Sequence, residues 1–383
     1  MKTLKKYLII STGYPPETKG GICTYAYHMS EFLKKKKIET TILYLSNKKE
    51  VIKKDKYIKL IKIKRINLKF RKLENFLNFL KLNFSVINIL SKDNYDIIED
   101  SDCLSYCFLI GLLKKELPKK FFLKLHTSNE LVFNFEKKKN TSTILFSLIE
   151  RINYKKFQNI IAPTKFIGNI YSKLYKIDKE KIIYFPYTYQ DSSSITPTNN
   201  FGEYVLYFGR LQKRKSSDLL LQMIKNNFIN KTNVKFKIIG EDTVNFQNEV
   251  KIINNETSDC VEFIDYITDK KLLRNYIINA SLVLLPSEFE SFGLTQIESL
   301  YLNPRTFILN NSGPLENFSH INSFNNILSK EEFRTMKYLD FCKIKIEDHK
   351  ILQKNINYYF GYDSENIHRL FKNNLKAAEL DLP

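Results

Sequence analysis

Leu282-Val283-Leu284-Leu285-Pro286-Ser287-Glu288-Phe289-Glu290-Ser291-Phe292-Gly293-Leu294-Thr295-Gln296-Ile297-Glu298 reads as three pieces in succession. The apolar run at its start has the length of a buried strand. Gly293 supplies a bend, and from Leu294 the chain enters a helix. A strand, loop and helix in that order turn the loop amides and the first N–H groups of the helix out of the strand's carboxyl end, where α/β proteins meet their ligands. Glu290 stands in the loop and Glu298 about one helical turn beyond Gly293, so both carboxylates can line one cleft and accept hydrogen bonds from hydroxyl groups. Two glutamates eight positions apart arise often by chance; the whole string does not.

Working outward, short apolar runs alternate with helical patterns along most of the chain. Strands are expected from Tyr7 to Ile10, Asp96 to Ile98, Phe121 to Leu125, Asn159 to Ile161, Val205 to Phe208 and Phe236 to Ile239. Between them Ile22, Tyr25, Ala26, Met29, Phe32 and Leu33 follow helical spacing, as do the apolar residues from Leu73 to Leu90. Repeated βα units predict the α/β class with parallel sheets. At 383 residues the chain is comfortable as two domains, each able to bury its own core. The polar segment from Thr188 to Glu203, rich in Ser, Thr, Asn and Pro, marks the boundary. The expected division is 1–188, a linker at 189–203, a second domain at 204–345, and a helical segment 346–383, helical from Asn355 to Leu380, that packs back on the first domain.

Glycine is scarce, 11 residues in the chain, or about 3% against a usual ~7%, so each one is informative. Gly20-Gly21 precedes a helix and reads either as a phosphate-facing helix entrance or as an ordinary turn. Gly209-Arg210-Leu211-Gln212-Lys213-Arg214-Lys215 follows a strand directly. It reads as cations aimed at a diphosphate leaving group or as a solvated basic turn. The five cysteines contain no CxxC pair and the five histidines no HxxxH or HExxH, which argues against a zinc site or a disulfide framework and fits a reducing cytoplasm. The opening apolar run stops after Ile10 without a small-residue cleavage site, and reads as a strand rather than a signal peptide. No apolar stretch approaches the ~20 residues that span a bilayer. The net charge of +20 has three readings: lysine bias of AT-rich codons, an anionic membrane surface, or nucleic acid. No zinc-finger, RNP-like or helix-turn-helix signature supports the last.

The Glu290 to Glu298 spacing, with Phe292-Gly293-Leu294 between, resembles the EX7E signature of glycosyltransferase family 4. Gly209-Arg210-Leu211 with Lys215 is similar to that family's GRLxxxKG, Gly20-Gly21 to its donor-facing loop, His126 to its first-domain histidine, and Tyr362-Asp363-Ser364-Glu365-Asn366-Ile367 to its FSWENI helix. The resemblance covers nearly the whole chain. It implies the GT-B fold, two Rossmann-like domains facing each other across a cleft, and transfer of a sugar from a nucleotide-sugar donor with retention. By the same resemblance, Arg210 and Lys215 hold the donor diphosphate, and Gly20, Gly21, Ser291, Phe292, Gly293 and Leu294 approach phosphate and sugar. Glu290 binds hydroxyls of the transferred sugar, Glu298 the ribose, and His126 contacts the sugar. The catalytic set is then Glu290, His126, Arg210 and Lys215, with no metal and no cofactor beyond the nucleotide-sugar substrate. The acceptor class implied is a glycan or lipid-linked glycan of bacterial cell-surface polysaccharide or glycolipid synthesis.

Departures from the family pattern are Ser216 in place of a glycine after Lys215, Ser299 to Pro304 in place of a small-residue run, a GGxxE loop reduced to Ser312-Gly313-Pro314-Leu315-Glu316, Asp265 for a glycine, and Phe185-Pro186-Tyr187-Thr188 for a hinge Asn-Gly. They leave the charged residues intact and keep open a rival expectation, a degenerate GT-B module that binds a nucleotide or a partner without catalysis. From Lys48 to Lys72 lysines and arginines crowd the first domain, and Leu73, Phe76, Leu77, Phe79, Leu80, Leu82 and Phe84 follow on a helix. This predicts docking on the inner, anionic face of the cytoplasmic membrane, against the plainer reading of a strand with solvated lysines.

Overall fold

The computed structural model describes residues 2–18, 20–103, 105–136, 141–191, 202–229, 234–256, 260–310, 313–319 and 325–383. Most of the expected linker, 192–201, and Ser312 lie outside them. The chain divides into two compact units, Met1–Gln190 with Tyr358–Pro383, and Asp191–Asn357.

The first unit is built on eight strands: β1 (Lys6–Ile10), β2 (Glu39–Ser46), β3 (Glu50–Lys53), β4 (Ile58–Lys64), β5 (Ile97–Ser101), β6 (Phe121–Lys124), β7 (Asn159–Ala162) and β8 (Ile182–Tyr184). Their order is β3-β4-β2-β1-β5-β6-β7-β8, parallel throughout except where β3 runs against β4. From β1 the chain builds to one side, then returns to add β5 on the other, so the order reverses at β1. Parallel strands covered on both faces need continuous apolar runs. Tyr7, Leu8, Ile9 and Ile10 are all buried accordingly.

β5 differs from its expected bounds. Asp96 lies outside it, accepting from the amides of Lys5 and Lys6 at 2.9 and 3.0 Å, and the strand runs on through three polar residues. Glu99 accepts from the Tyr7 and Tyr25 hydroxyls at 2.6 and 3.0 Å, Asp100 from the amides of Tyr106 and Cys107 at 3.2 and 2.8 Å, and Ser101 donates to the Ile10 carbonyl at 2.8 Å. Partners supplied by other segments let polar side chains occupy a buried strand.

The expected single helix from Asn355 to Leu380 is two, His349–Phe360 and Glu365–Ala377. The break falls at Gly361, and the Ser364 side chain caps the second helix by accepting from the Ile367 amide at 3.4 Å. The first helix straddles the division: His349 and Gln353 meet the Tyr301 carbonyl of the second unit at 2.8 and 3.0 Å. From Tyr358 the chain belongs to the first unit. There Tyr362 meets His28 Nδ1 at 2.5 Å, Phe371 packs edge-on to Phe32 with ring centres 5.2 Å apart, and Leu380–Asp381 pairs in parallel with Lys2–Thr3. The expected segment 346–383 is therefore shared between the units.

The second unit holds six parallel strands: β9 (Tyr204–Phe208), β10 (Lys235–Ile239), β11 (Val261–Ile264), β12 (Leu282–Leu285), β13 (Thr306–Leu309) and β14 (Ile327–Leu328). Their order is β11-β10-β9-β12-β13-β14, reversing at β9. Val205, Leu220, Ile238, Leu284 and Phe307 are among its fully buried core side chains, each contributing roughly 1.5–3 kcal/mol of burial. Among the described residues no helix is long and apolar enough to cross a membrane.

Candidate active site

In the second unit the site forms at the carboxyl ends of β9, β10 and β12, where the strand order reverses. Gly209 and Gly240 leave their strands at φ +136° and +142°, and a Cβ on Gly240 would lie 2.2 Å from the Gly209 carbonyl oxygen. The two strand ends can approach because Gly240 has no Cβ, while Gly209 is favoured by its positive φ. Arg210 follows at the surface, and its carbonyl accepts from the Tyr207 hydroxyl at 3.0 Å. Lys213–Lys215 then makes one 3₁₀ turn closed by the Ser216 amide on the Lys213 carbonyl at 2.9 Å.

That turn receives the loop after β12. The amides of Glu288 and Phe289 donate to the Arg214 carbonyl at 2.9 and 3.2 Å, which brings Glu290 against Lys215. Lys215 Nζ bonds Glu290 Oε1, and Arg214 Nη1 stands 4.0 Å from Oε2. Burial alone would push the Glu290 carboxyl up, but Lys215 and Arg214 outweigh it and hold Glu290 below the usual carboxylate range. Arg210, Arg214 and Lys215 gather three cations at this turn beside Glu290. Arg214 was not singled out from the sequence; its place between two lysines hid which cation of the turn would face the glutamate.

The loop is held from behind. Gly293 has φ +90° and begins the helix Leu294–Leu302, whose first-turn N–H groups have no carbonyl within the helix. Gly313, the glycine kept from the reduced GGxxE pattern, donates to the Glu290 carbonyl at 3.1 Å. A Cβ there would lie 2.4 Å from the Ser291 carbonyl oxygen, so a larger residue would push the glutamate loop away. Asn317 Nδ2 donates to the Phe292 carbonyl at 2.7 Å. Phe292 is wholly buried, so it holds the loop in place. Glu298, in the same helix, has different company: burial raises its pKa, against the pull of Lys270 and Arg274. Arg274 is in turn engaged by both carboxylate oxygens of Asp191.

Ser216 explains its own departure from the family pattern. It sits in the left-handed region, φ 53° and ψ 50°, where a side chain costs roughly 1–2 kcal/mol, and its buried hydroxyl has no partner among the described residues. Replacing Ser216 by glycine is expected to stabilise the protein by ~1 kcal/mol, after allowing for the greater freedom of glycine in the unfolded chain. Urea unfolding measures this, and a lowered midpoint would show that the hydroxyl has an essential partner.

In the first unit, Gly20 takes φ +122° ahead of the helix Gly21–Lys35. A Cβ on either Gly20 or Gly21 would meet nothing within 4 Å. The left-handed φ accounts for Gly20, whereas crowding inside the protein does not account for Gly21. His126 follows β6 and is 4% exposed. Its amide donates to Asp102 Oδ2 at 3.0 Å, and its Nδ1 meets the Tyr187 hydroxyl, which itself donates to the Leu125 carbonyl at 3.3 Å. This assigns the imidazole proton to Nδ1 and leaves Nε2 as an acceptor, buried and without a partner among the described residues. Burial, and then the nearby Lys124, hold His126 well below its ordinary pKa, so the ring is neutral.

Beneath it lies a group that the sequence analysis passed over. Burial pushes Asp100 and Asp102 up to about 7 and Glu150 to about 8. Three acids in four residues, Glu99-Asp100-Ser101-Asp102, at the end of an apolar strand were the available signal.

Two family models match the chain: Glycosyltransferase Family 4 over residues 19–187 and Glycosyl transferases group 1 over residues 190–332. Solved structures match along nearly the full length. The catalytic domain of starch synthase IV from Arabidopsis thaliana, bound to ADP and acarbose, has a TM-score of 0.70 at 12% identity, covering 99% of this chain and 100% of that one. Sucrose-phosphate synthase from Thermosynechococcus elongatus gives 0.65 at 16% identity, with 98% and 94% covered. The lipopolysaccharide outer core galactosyltransferase WaaB gives 0.60 at 18%, with 97% and 99% covered. No curated protein matches the chain in sequence. The fold is that of the GT-B enzymes, as expected. Together the two matches make the chain a glycosyltransferase, its first half similar to the family 4 model and its second to the group 1 model.

Proposed function

We propose that this glycosyltransferase moves a sugar from a nucleoside-diphosphate sugar, with retention, to a glycan or lipid-linked acceptor in cell-surface polysaccharide or glycolipid synthesis. The observation that carries the reading is the Lys215–Glu290 pair, flanked by Arg210 and Arg214 at the carboxyl end of β9. A diphosphate brings negative charge that these cations can receive. When it takes Lys215, Glu290 is released to accept hydrogen bonds from hydroxyls of the sugar. As the glycosidic bond lengthens, negative charge grows on the leaving oxygen, and the cations with the first amides of Leu294–Leu302 stabilise it in place. Glu298 takes the ribose hydroxyls, His126 Nε2 accepts from a substrate hydroxyl, and the open space at Gly20 and Gly21 leaves backbone free to meet phosphate. Since side chains and amides supply the charge, no metal is required.

Support for the acceptor class comes from WaaB, a lipopolysaccharide enzyme of the same fold. A thermal-shift screen of nucleotide-sugars tests the donor reading, because a ligand at one hundred times its Kd stabilises by roughly 2.7 kcal/mol. With the donor found, transfer in excess chelator is expected to persist, and the product's anomeric proton coupling to match the donor's. Inversion, or loss restored by magnesium, would overturn the mechanism.

A second reading adds an anionic membrane surface as partner. At the start of the helix Arg71–Lys92, Phe70 is 77% exposed and Leu73 and Phe76 are also exposed, beside Lys69, Arg71 and Lys72. Lys62, in β4, pairs with Glu17 and Glu50 at 2.8 and 3.1 Å. Three basic residues near an anionic leaflet contribute ~1 kcal/mol each, which salt weakens, and the aromatic side chain adds insertion. Sedimentation with anionic vesicles is expected at low salt and to fall at high salt; binding indifferent to lipid charge would refute it.

A further inference from the structure

The first unit holds a cavity of about 270 Å³ that none of the residues assigned to the donor lines. It opens at the carboxyl ends of the strands around the reversal of the first sheet: Thr12 follows β1, Leu45 lies near the end of β2, Tyr106 follows β5 and Asn129 follows β6. That is where open α/β sheets bind their ligands. Its volume is at the small end for ligand pockets, ~300 Å³, which fits one sugar unit.

Three aromatic rings, Phe79, Phe133 and Phe146, form its apolar wall, Phe79 and Phe146 meeting edge-on with centres 6.0 Å apart. Such a wall suits the C–H faces of a pyranose. Among the described residues the polar lining consists of donors and neutral groups, without aspartate or glutamate. Asn78 uses both ends of its amide on the backbone of Ile66, at 2.8 and 2.9 Å, and so fixes the chain next to Arg65. Arg65 forms no ion pair among the described residues, and Asn75 also lines the cavity. Tyr106 is 2% exposed and lines the cavity, yet its hydroxyl has no hydrogen-bond partner among the described residues. Burial pushes this phenol well up, so it keeps its proton as a donor. A cavity-lining phenol donor next to a guanidinium with no ion pair among the described residues suits an anion.

We infer that this cavity binds the acceptor through an acidic sugar unit, its phosphate or carboxylate held by Arg65 and Tyr106 and its ring laid on Phe79 and Phe146. This rests on the glycosyltransferase reading for the word acceptor, but the binding itself does not. Saturation-transfer NMR on the intact protein without donor tests it, using a hexose 6-phosphate, a hexuronate and the neutral hexose, with inorganic phosphate as competitor. An acidic sugar is expected to bind at least tenfold more tightly than the neutral hexose. Arg65→Gln should remove that preference, Tyr106→Phe weaken it a few-fold, and Arg65→Lys restore it in part, since lysine lacks the planar fork. Phosphate that competes as well as the sugar phosphate would show an anion site without the sugar platform. Equal binding of neutral and acidic sugars, no binding of either acid, or indifference to Arg65→Gln would overturn the inference. The nucleotide-sugar thermal shift, measured on the same Arg65→Gln protein, should be unchanged. Its absence in the wild type would count against the donor reading instead.

Discussion

Replacing Lys215 by alanine, or Glu290 by glutamine, is expected to lower turnover by on the order of 100-fold or more while the thermal transition stays close to that of the parent. The loss follows from charge aimed at the reacting centre, where removal of one preorganised group commonly has that effect. The two changes should differ in kind. Lys215→Ala leaves Glu290 with Arg214, 4.0 Å away, and removes the cation that the diphosphate would take, so donor affinity falls along with rate. Glu290→Gln keeps the shape of the loop, held by Gly313 and by the Arg214 carbonyl, and should affect kcat more than donor binding. Because the two residues meet each other, the double variant should lose less than the product of the single losses. Near-normal transfer in either single variant would remove the pair from the mechanism.

Exchange of Lys124 for methionine is expected to cost about 3 kcal/mol or more of stability in urea unfolding. Lys124 is wholly buried, donates to the Phe185 carbonyl at 2.8 Å, and has the rings of Tyr25 and Tyr187 about its ammonium at 5.0 and 4.9 Å. Burial pulls its pKa down to about 7, with Glu99 pulling the other way. Removing one member of a buried charged set strands the other, a loss typically of ~3–5 kcal/mol. Here a buried carbonyl also loses its donor. Adding Glu99→Gln should recover part of the loss, since the Tyr7 and Tyr25 hydroxyls can still donate to the amide oxygen. A cost below ~1 kcal/mol, or strict additivity, would show that Lys124 and Glu99 do not act together. Tyr187 holds both His126 and Lys124, so the substitution should also loosen His126.

The parallel sheets were legible because apolar runs in buried parallel strands need no partner from elsewhere in the chain: Tyr7 to Ile10 and Leu282 to Leu285 declare themselves. β5 did not, because Glu99 and Asp100 are tolerated only through the hydroxyls of Tyr7 and Tyr25 and the amides of Tyr106 and Cys107, contributions from distant or folded-back segments. The meeting of Lys215 with Glu290 was suggested only by family resemblance, since nothing local to either residue specifies the other. Arg214 became visible only when its carbonyl was seen to carry the glutamate loop. Ser216 read as an eroded glycine until its left-handed backbone gave the physical reason why glycine is favoured there. The cavity at Arg65 and Tyr106 left no local trace, because its walls come from the ends of four strands and the helices beyond them.

The return of residues 358–383 to the first unit bears on how the protein is made. A ribosome emits Met1–Gln190, then the whole of Asp191–Asn357, and only afterwards the helix Glu365–Ala377 and the strand Leu380–Asp381 that close the first unit. Until then Phe32 lacks the ring of Phe371, His28 lacks Tyr362, and Lys2–Thr3 lacks its strand partner. The second unit is continuous in the chain and can complete its sheet while still tethered, whereas the first, although synthesised earlier, waits with an uncovered apolar face for its final turn of helix. Order of synthesis and order of completion are thus opposite, and in this interval the nascent first unit depends most on protection from aggregation.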